Sequence, residues 1–291
     1  MTFTIRTACK VAIAATVAIV AIAPSAKAED YQGWDYAKSS IKNGVHYTQI
    51  GGSTNPFEFY SLAMKDMGDR MVVAINANLN RNGGTEGIAY GDMLFDFTSS
   101  GLKGASESSS LFGVKFNTVN SDSGVSEMGI YSGVQAKSVT RQNNGFSNLD
   151  QRAGYMPRYS RESMTELNNF GDLQATDTYF DGMRQGNHVI LNSIKTGKRA
   201  GDLAMLSGAQ LGNMGLNFGR FGETGSQTFG FSFLKPRGFD GKFTSTLFAE
   251  CANDGIALVG SAGKSVPEPL ALAGLAIVGG ALARKRRTAK A

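Results

Sequence analysis

In Phe229-Gly230-Phe231-Ser232-Phe233 every second residue is a phenylalanine, a period of two that an extended chain gathers onto one face and a helix disperses. Phe229, Phe231 and Phe233 are expected to be buried together, while Gly230 and Ser232 on the other face allow close approach or solvent. Val114 and Phe116 alternate with Lys115 and Asn117, and Met71-Val72-Val73-Ala74-Ile75 is a β-branched run. Phe243, Leu247 and Cys251 continue the scheme on a neighbouring segment, with Thr244, Thr246 and Glu250 expected to face away.

Turn chemistry separates these runs. Asn43-Gly44, Asn82-Gly83, Asn144-Gly145, Asp240-Gly241 and Asp254-Gly255 supply residues that tolerate positive φ, and with 37 glycines against six prolines the chain bends mainly through Gly and Asx turns. Helical signal is thin: Ser160 is a candidate cap for a short segment through Met164 and Leu167, and residues 203–211 are a second candidate. Residues 143–169 are expected as a long loop with one helical turn. The fold class predicted is all-β, an antiparallel two-sheet β-sandwich of jelly-roll-like winding with few short helices, forming one domain over residues 29–264.

The two ends read differently. Arg6 and Lys10 precede a thirteen-residue apolar stretch, 11–23, which is followed by Ala26-Lys27-Ala28; this is the order of a signal peptide over residues 1–28, cut between Ala28 and Glu29. At the other end Pro267-Glu268-Pro269 precedes fourteen uncharged residues, 270–283, and then Arg284-Lys285-Arg286-Arg287. A helix of that length reaches only about 21 Å against a hydrocarbon core of about 30 Å, so it suits temporary retention better than permanent spanning. The basic stop orients it with its end in the cytoplasm and the body outside. Hydrophobic targeting helices are therefore expected at both termini.

Charge follows the same division. Eight of the 29 Lys plus Arg lie in residues 1–28 and 270–291, which hold no acid, so 21 bases face 24 acids in between. The whole-chain pI near 9.1 thus belongs to the ends, and nucleic-acid binding loses its electrostatic footing. Cys9 lies in the signal segment, leaving Cys251 alone, with no internal disulfide; it is read as a small buried hydrophobe.

Candidate chemistry is sparse. Gly91-Asp92-Met93, Gly171-Asp172-Leu173 and Gly201-Asp202-Leu203 share a turn pair leading into an apolar residue; the three aspartates either converge on a cation or each cap their own turn, and capping is the simpler reading. Asn120-Ser121-Asp122-Ser123-Gly124 is rich in oxygen but lacks the glycine at position six and the glutamate at position twelve of an EF-hand loop, which leaves only a calcium site assembled from separate loops. His46 and His188 are the only histidines. A Cys251 to His188 couple is imaginable, although a structural histidine is the simpler reading. No cofactor or metal site is predicted. Glycoside hydrolysis needs only two carboxylates, for which Asp92, Asp96 and Glu250 are candidates.

Pro267-Glu268-Pro269, the short Ala, Leu and Gly-rich stretch and the basic end together resemble the PEP-CTERM anchor, which in that family is recognised by a membrane-embedded exosortase. The resemblance implies that the hydrophobic end of residues 265–291 is removed. Trp34-Asp35-Tyr36-Ala37, Ala74-Ile75-Asn76-Ala77-Asn78, Gly91-Asp92, Gly145-Phe146-Ser147-Asn148-Leu149, Phe170-Gly171-Asp172-Leu173, Gly225-Ser226-Gln227-Thr228-Phe229-Gly230-Phe231 and Glu250-Cys251-Ala252-Asn253-Asp254-Gly255-Ile256-Ala257-Leu258 resemble a cyanobacterial family of exosortase-dependent surface proteins. That likeness implies location and carries no catalytic residues. The expectation is an exported, exosortase-processed surface or matrix protein, not an enzyme, with a structural or adhesive role in an exopolysaccharide setting. Its partners would be signal peptidase and exosortase during processing, polysaccharide outside the cell, and the membrane through the tail before processing. It would reside at the cell surface, the outer membrane or the extracellular matrix after transient anchoring in the inner membrane. The alternatives are a carbohydrate-binding module using Trp34, Tyr36, Tyr155 and Tyr159, with core or loop packing the competing account of those rings, and a polysaccharide-active enzyme.

Overall fold

The computed structural model describes residues 29–264 apart from 83, 120 and 121; the signal cleavage residues Ala26 and Ala28, the sorting motif at Pro267, Glu268 and Pro269, and the basic stop at 284–287 lie outside the described residues. The described chain is mostly β. One six-stranded antiparallel sheet runs in the order β1 (Glu29–Tyr31), β2 (Trp34–Lys38), β5 (Phe59–Asp66), β6 (Arg70–Ala77), β12 (Gln227–Leu234), β11 (Ala204–Ser207). The other runs β10 (Ser193–Gly201), β9 (Gly129–Lys137), β8 (Leu111–Lys115), β7 (Met93–Asp96), β13 (Gly241–Phe248), β14 (Gly255–Ala262). A small hairpin, β3 (Val45–His46) with β4 (Gln49–Ile50), stands apart.

The two sheets share one apolar core. Phe229, Phe231 and Phe233 of β12 point into it together with Val73 and Ile75 of β6, and meet Phe95 of β7, Val114 of β8 and Phe243 and Leu247 of β13. The alternating phenylalanines therefore do what their period predicts. Aromatic edges interlock there: Phe95 lies 6.1 Å from Phe233, 5.1 Å from Phe239 and 5.5 Å from Phe243, all edge to face.

The outer faces are covered as well. On the first sheet Trp34, Tyr36, Ala63, Val72 and Ala74 pack under Leu211 of a short helix (Gly208–Asn213) and Phe218. On the second, Leu94, Val134, Phe248 and Ala257 pack under Leu102 and Ala105 of a helix at Gly101–Glu107, with Phe170, Phe180 and Met183. Because neither face is left to water, β6 reads as a continuous apolar run rather than an alternation. Because of the same covering, Thr246 and Glu250, expected to face away from Phe243, Leu247 and Cys251, are nevertheless buried. Gly230 is likewise enclosed, with Val73 O and Leu211 Cδ1 where a Cβ would go.

Connectivity departs from the jelly-roll-like winding expected, in which strands alternate between sheets. Here β7 through β10 form one uninterrupted meander in the second sheet, and the large-sheet strands cross between sheets only after β6, β10 and β12. Three local expectations are also corrected. The segment 143–169 carries two α-helices, Leu149–Tyr155 capped by Asn148 and Met164–Leu167 capped by Ser163 rather than Ser160, with a 3-10 turn at Met156–Arg158 between them. Residues 203–211 divide into β11 and the start of a helix with a Ser207–Gln210 capping box, because the Ala204–Ser207 backbone is claimed by β12. Among the Asx-Gly pairs, Asn144 and Gly241 do take positive φ, but Gly145 is needed for proximity: a Cβ there would stand 1.9 Å from Cys251 O.

Candidate functional site

The most distinctive concavity, about 440 Å³, opens where the small hairpin meets the loop before the helix at Leu149–Tyr155 and the loop after β13. His46 closes β3, and the chain then turns through Tyr47, which is 70% exposed although its φ is 50°. Glu86 holds this corner. One carboxylate oxygen lies 3.1 Å from His46 Nε2, and the other accepts the Tyr47 hydroxyl at 3.1 Å. Across the opening the Tyr155 hydroxyl donates to Tyr47 O at 3.1 Å, and its ring packs 5.5 Å from Phe146 and 5.0 Å from Tyr159. Asn143, Asn144, Gln151 and Asn253 supply amide groups to the lining.

Backbone strain concentrates at this cleft. Among the described residues, six that are not glycine have positive φ, and Tyr47, Glu86 and Asn144 of these line the cleft. A fourth, Ala252, sits between the lining residues Cys251 and Asn253. A tyrosine and a glutamate in the left-handed region each cost of order 1 kcal/mol and persist where the surroundings over-determine them, which is characteristic of binding sites. The exposed Tyr47 ring and the half-buried Tyr155 ring beside amide and carboxylate groups suit a flat ligand with apolar faces and hydroxylated edges.

Of the sequence candidates, Tyr155 lines this cleft, and Tyr159, 46% exposed, packs against its ring without lining the cleft itself. Trp34 and Tyr36 are buried under the helix at Gly208–Asn213, on one strand face as their spacing implied. Tyr47 and Glu86 escaped sequence reasoning because their partnership spans a separation of 39 residues. Cys251 lies at the buried floor of the cleft, where loss of solvation pushes its thiol up to about 12, so it behaves as a hydrophobe. His188 is elsewhere. It lines a second cavity, with Nδ1 3.1 Å from Asp181 O, and no Cys251 couple forms.

The acids considered for hydrolysis, Asp92, Asp96 and Glu250, are interior groups, whereas Asp172 is half-buried and Asp202 exposed. Asp92 accepts Ile194 N at 2.7 Å, Ser123 Oγ at 2.7 Å and Ser193 Oγ at 3.0 Å, clamping the loop before β9 and β10 to β7. Asp172 accepts Val259 N at 2.8 Å, and Asp202 pairs with Arg199. The three Gly-Asp aspartates therefore neither converge nor cap their own turns; two of them bind backbone far away in sequence. Glu250 accepts Ala89 N at 2.9 Å, and Asp96 accepts Thr98 N at 2.7 Å. Asp92, Asp96 and Glu250 line neither cavity. Of the oxygen-rich segment, Asp122 accepts from Asn143 and Ser123 donates to Asp92. Among the described residues no group of three or more His, Cys, Asp or Glu is placed to hold a metal ion, and no helix is long and apolar enough to cross a membrane.

These buried acids couple stability to pH. Burial pushes Asp172, Glu250 and Asp254 each up to about 7. Each carboxyl binds its proton more tightly in the folded than in the unfolded chain. Stability is therefore fully present below the unfolded value near 4 and is lost as pH rises through about 7. The melting temperature is expected to fall by about 5 °C between pH 5 and pH 8. Asp172→Asn keeps an oxygen for Val259 N–H and removes one charge, so it should flatten that fall. A melting temperature that climbs over the same range contradicts this account.

Compared with protein-family models, curated proteins and solved structures, the chain matches none. What the geometry defines is a two-sheet β protein bearing a strained, aromatic-rimmed cleft at the end of its sheets.

Proposed function

We propose that the chain is an exported, exosortase-processed surface or matrix protein that acts by adhesion, holding polysaccharide in the cleft between Tyr47 and Tyr155. The carrying observation is the placement of Tyr47 and Glu86, both in the left-handed region and joined by a hydrogen bond, so that an exposed ring is fixed beside polar groups. Sugar rings present apolar faces to such aromatics and hydroxyls to amide and carboxylate groups. Binding rather than turnover is favoured because Asp92, Asp96 and Glu250, the acids considered for hydrolysis, are committed to backbone N–H groups in the interior. The assignment to export rests on the signal-like order ending at Ala26-Lys27-Ala28 and on the Pro267-Glu268-Pro269 tail with its basic end.

Affinity electrophoresis of the purified protein in gels containing extracted matrix polysaccharide tests the adhesive half. The protein should be retarded, and the Tyr47→Ala/Tyr155→Ala variant should bind at least about tenfold more weakly, a difference of ~1.4 kcal/mol. Unretarded wild type, or a variant retarded equally, overturns it. Mass spectrometry of the mature ends accompanies this measurement; chains starting at Glu29 and lacking the terminal basic run are expected, and both ends intact would defeat the sorting assignment.

A further inference from the structure

We propose that the second cavity, about 830 Å³, is a binding site for an acidic oligosaccharide. It lies at the edge of the second sheet, where Lys137 ends β9, Lys195 belongs to the edge strand β10, and Arg141 follows in the loop after β9. No aspartate or glutamate lines it. Among the described residues none of these three bases enters an ion pair, whereas Arg184 and Arg199 nearby in sequence are each paired with two acids.

Three uncompensated cations around one concavity repel one another, and the region between the terminal segments carries more acids than bases, so this positive patch is not a by-product of overall charge. An anion entering the cavity removes that repulsion. Its size exceeds the needs of a single inorganic anion and falls within the range of organic-ligand sites. Gln142, Asn187 and Ser138 add neutral hydrogen-bonding groups between the charges, which matches a ligand carrying hydroxyls as well as carboxylates or sulfates. Single-stranded nucleic acid, the other common polyanion, is disfavoured because no Phe, Tyr or Trp lines the cavity to stack a base. The proposal stands whether or not the aromatic cleft binds sugar, since the two cavities share no lining residue.

Fluorescence anisotropy of the purified protein with a labelled oligogalacturonate and a labelled sulfated dextran oligosaccharide tests it. At least one should bind, with affinity falling as salt is raised, and the Arg141→Glu/Lys195→Glu variant should lose at least tenfold. Both of those side chains are exposed, so the variant's melting temperature should match wild type; if it does not, Arg141→Gln/Lys195→Gln replaces it, with an intermediate loss expected. Tyr47→Ala/Tyr155→Ala should bind the acidic probes unchanged, which separates this site from the aromatic cleft. The assignment is overturned if neither probe binds, if the charge variants bind as wild type does, or if single-stranded DNA or inorganic phosphate binds as tightly as the acidic oligosaccharides.

Discussion

Replacing Arg152 by methionine should destabilise the protein by about 3–5 kcal/mol, the cost of removing one member of a buried charged network. Arg152 is 1% exposed and lies between the two helices of the 143–169 segment and the end of the second sheet. Its guanidinium donates to Asn43 O, to Leu167 O at 3.3 Å and to Asn253 O, stands 3.5 Å from Asp254 Oδ1, and stacks 4.8 Å from the Phe170 ring. Methionine fills much of the volume and satisfies none of these acceptors. Asp254 would be left without its counter-charge, with Glu58 close enough to repel it; burial and the Asp254 charge already hold the Glu58 carboxyl well above the usual range. Urea unfolding should show a lower midpoint with an unchanged slope. The loss should shrink at pH 5, where Asp254 takes up a proton, and Arg152→Lys should fall between the two because a point charge replaces a fork of donors. A cost under about 1 kcal/mol at pH 8 would show that the network contributes no net stability.

Phe95→Ala is the second large effect, at about 3–5 kcal/mol and roughly 10 °C in melting temperature. Phe95 is fully buried at the meeting point of both sheets, and its ring contacts Phe233, Phe239 and Phe243 edge to face. Truncation leaves a cavity walled by other rings, which cannot collapse without rotating several of them together. Phe97, only partly buried yet touching Phe112, Phe239 and Phe243, should cost about half as much when cut to alanine. Equal losses from the two truncations would place the centre of the core elsewhere.

The strands were legible where one face alone is greasy. Phe229, Phe231 and Phe233 declare both a strand and its buried side, because alternation survives when the intervening residues are as small as Gly230 and Ser232. The helices at Leu149–Tyr155 and Met164–Leu167 were illegible for the opposite reason: each is two turns or less, and its stability comes from Arg152 and Leu167 packing inward rather than from propensity. The three Gly-Asp pairs looked like local turn caps. Asp92 and Asp172 instead serve as acceptors for Ile194 and Val259, and no local pattern announces a partner more than eighty residues away.

Sequence alone determined that the chain between its two apolar ends is a β protein with one thiol, no disulfide and a slight excess of acid, since period, composition and charge are properties of neighbours along the chain. Only the tertiary structure decided that Tyr47 and Glu86 hold one corner of a cleft while Trp34 and Tyr36 are buried, and that Lys137, Arg141 and Lys195 surround one cavity. Those arrangements are set by which loops the two sheets bring to a common edge, and that depends on contacts between segments far apart in sequence, whose energies no local pattern encodes.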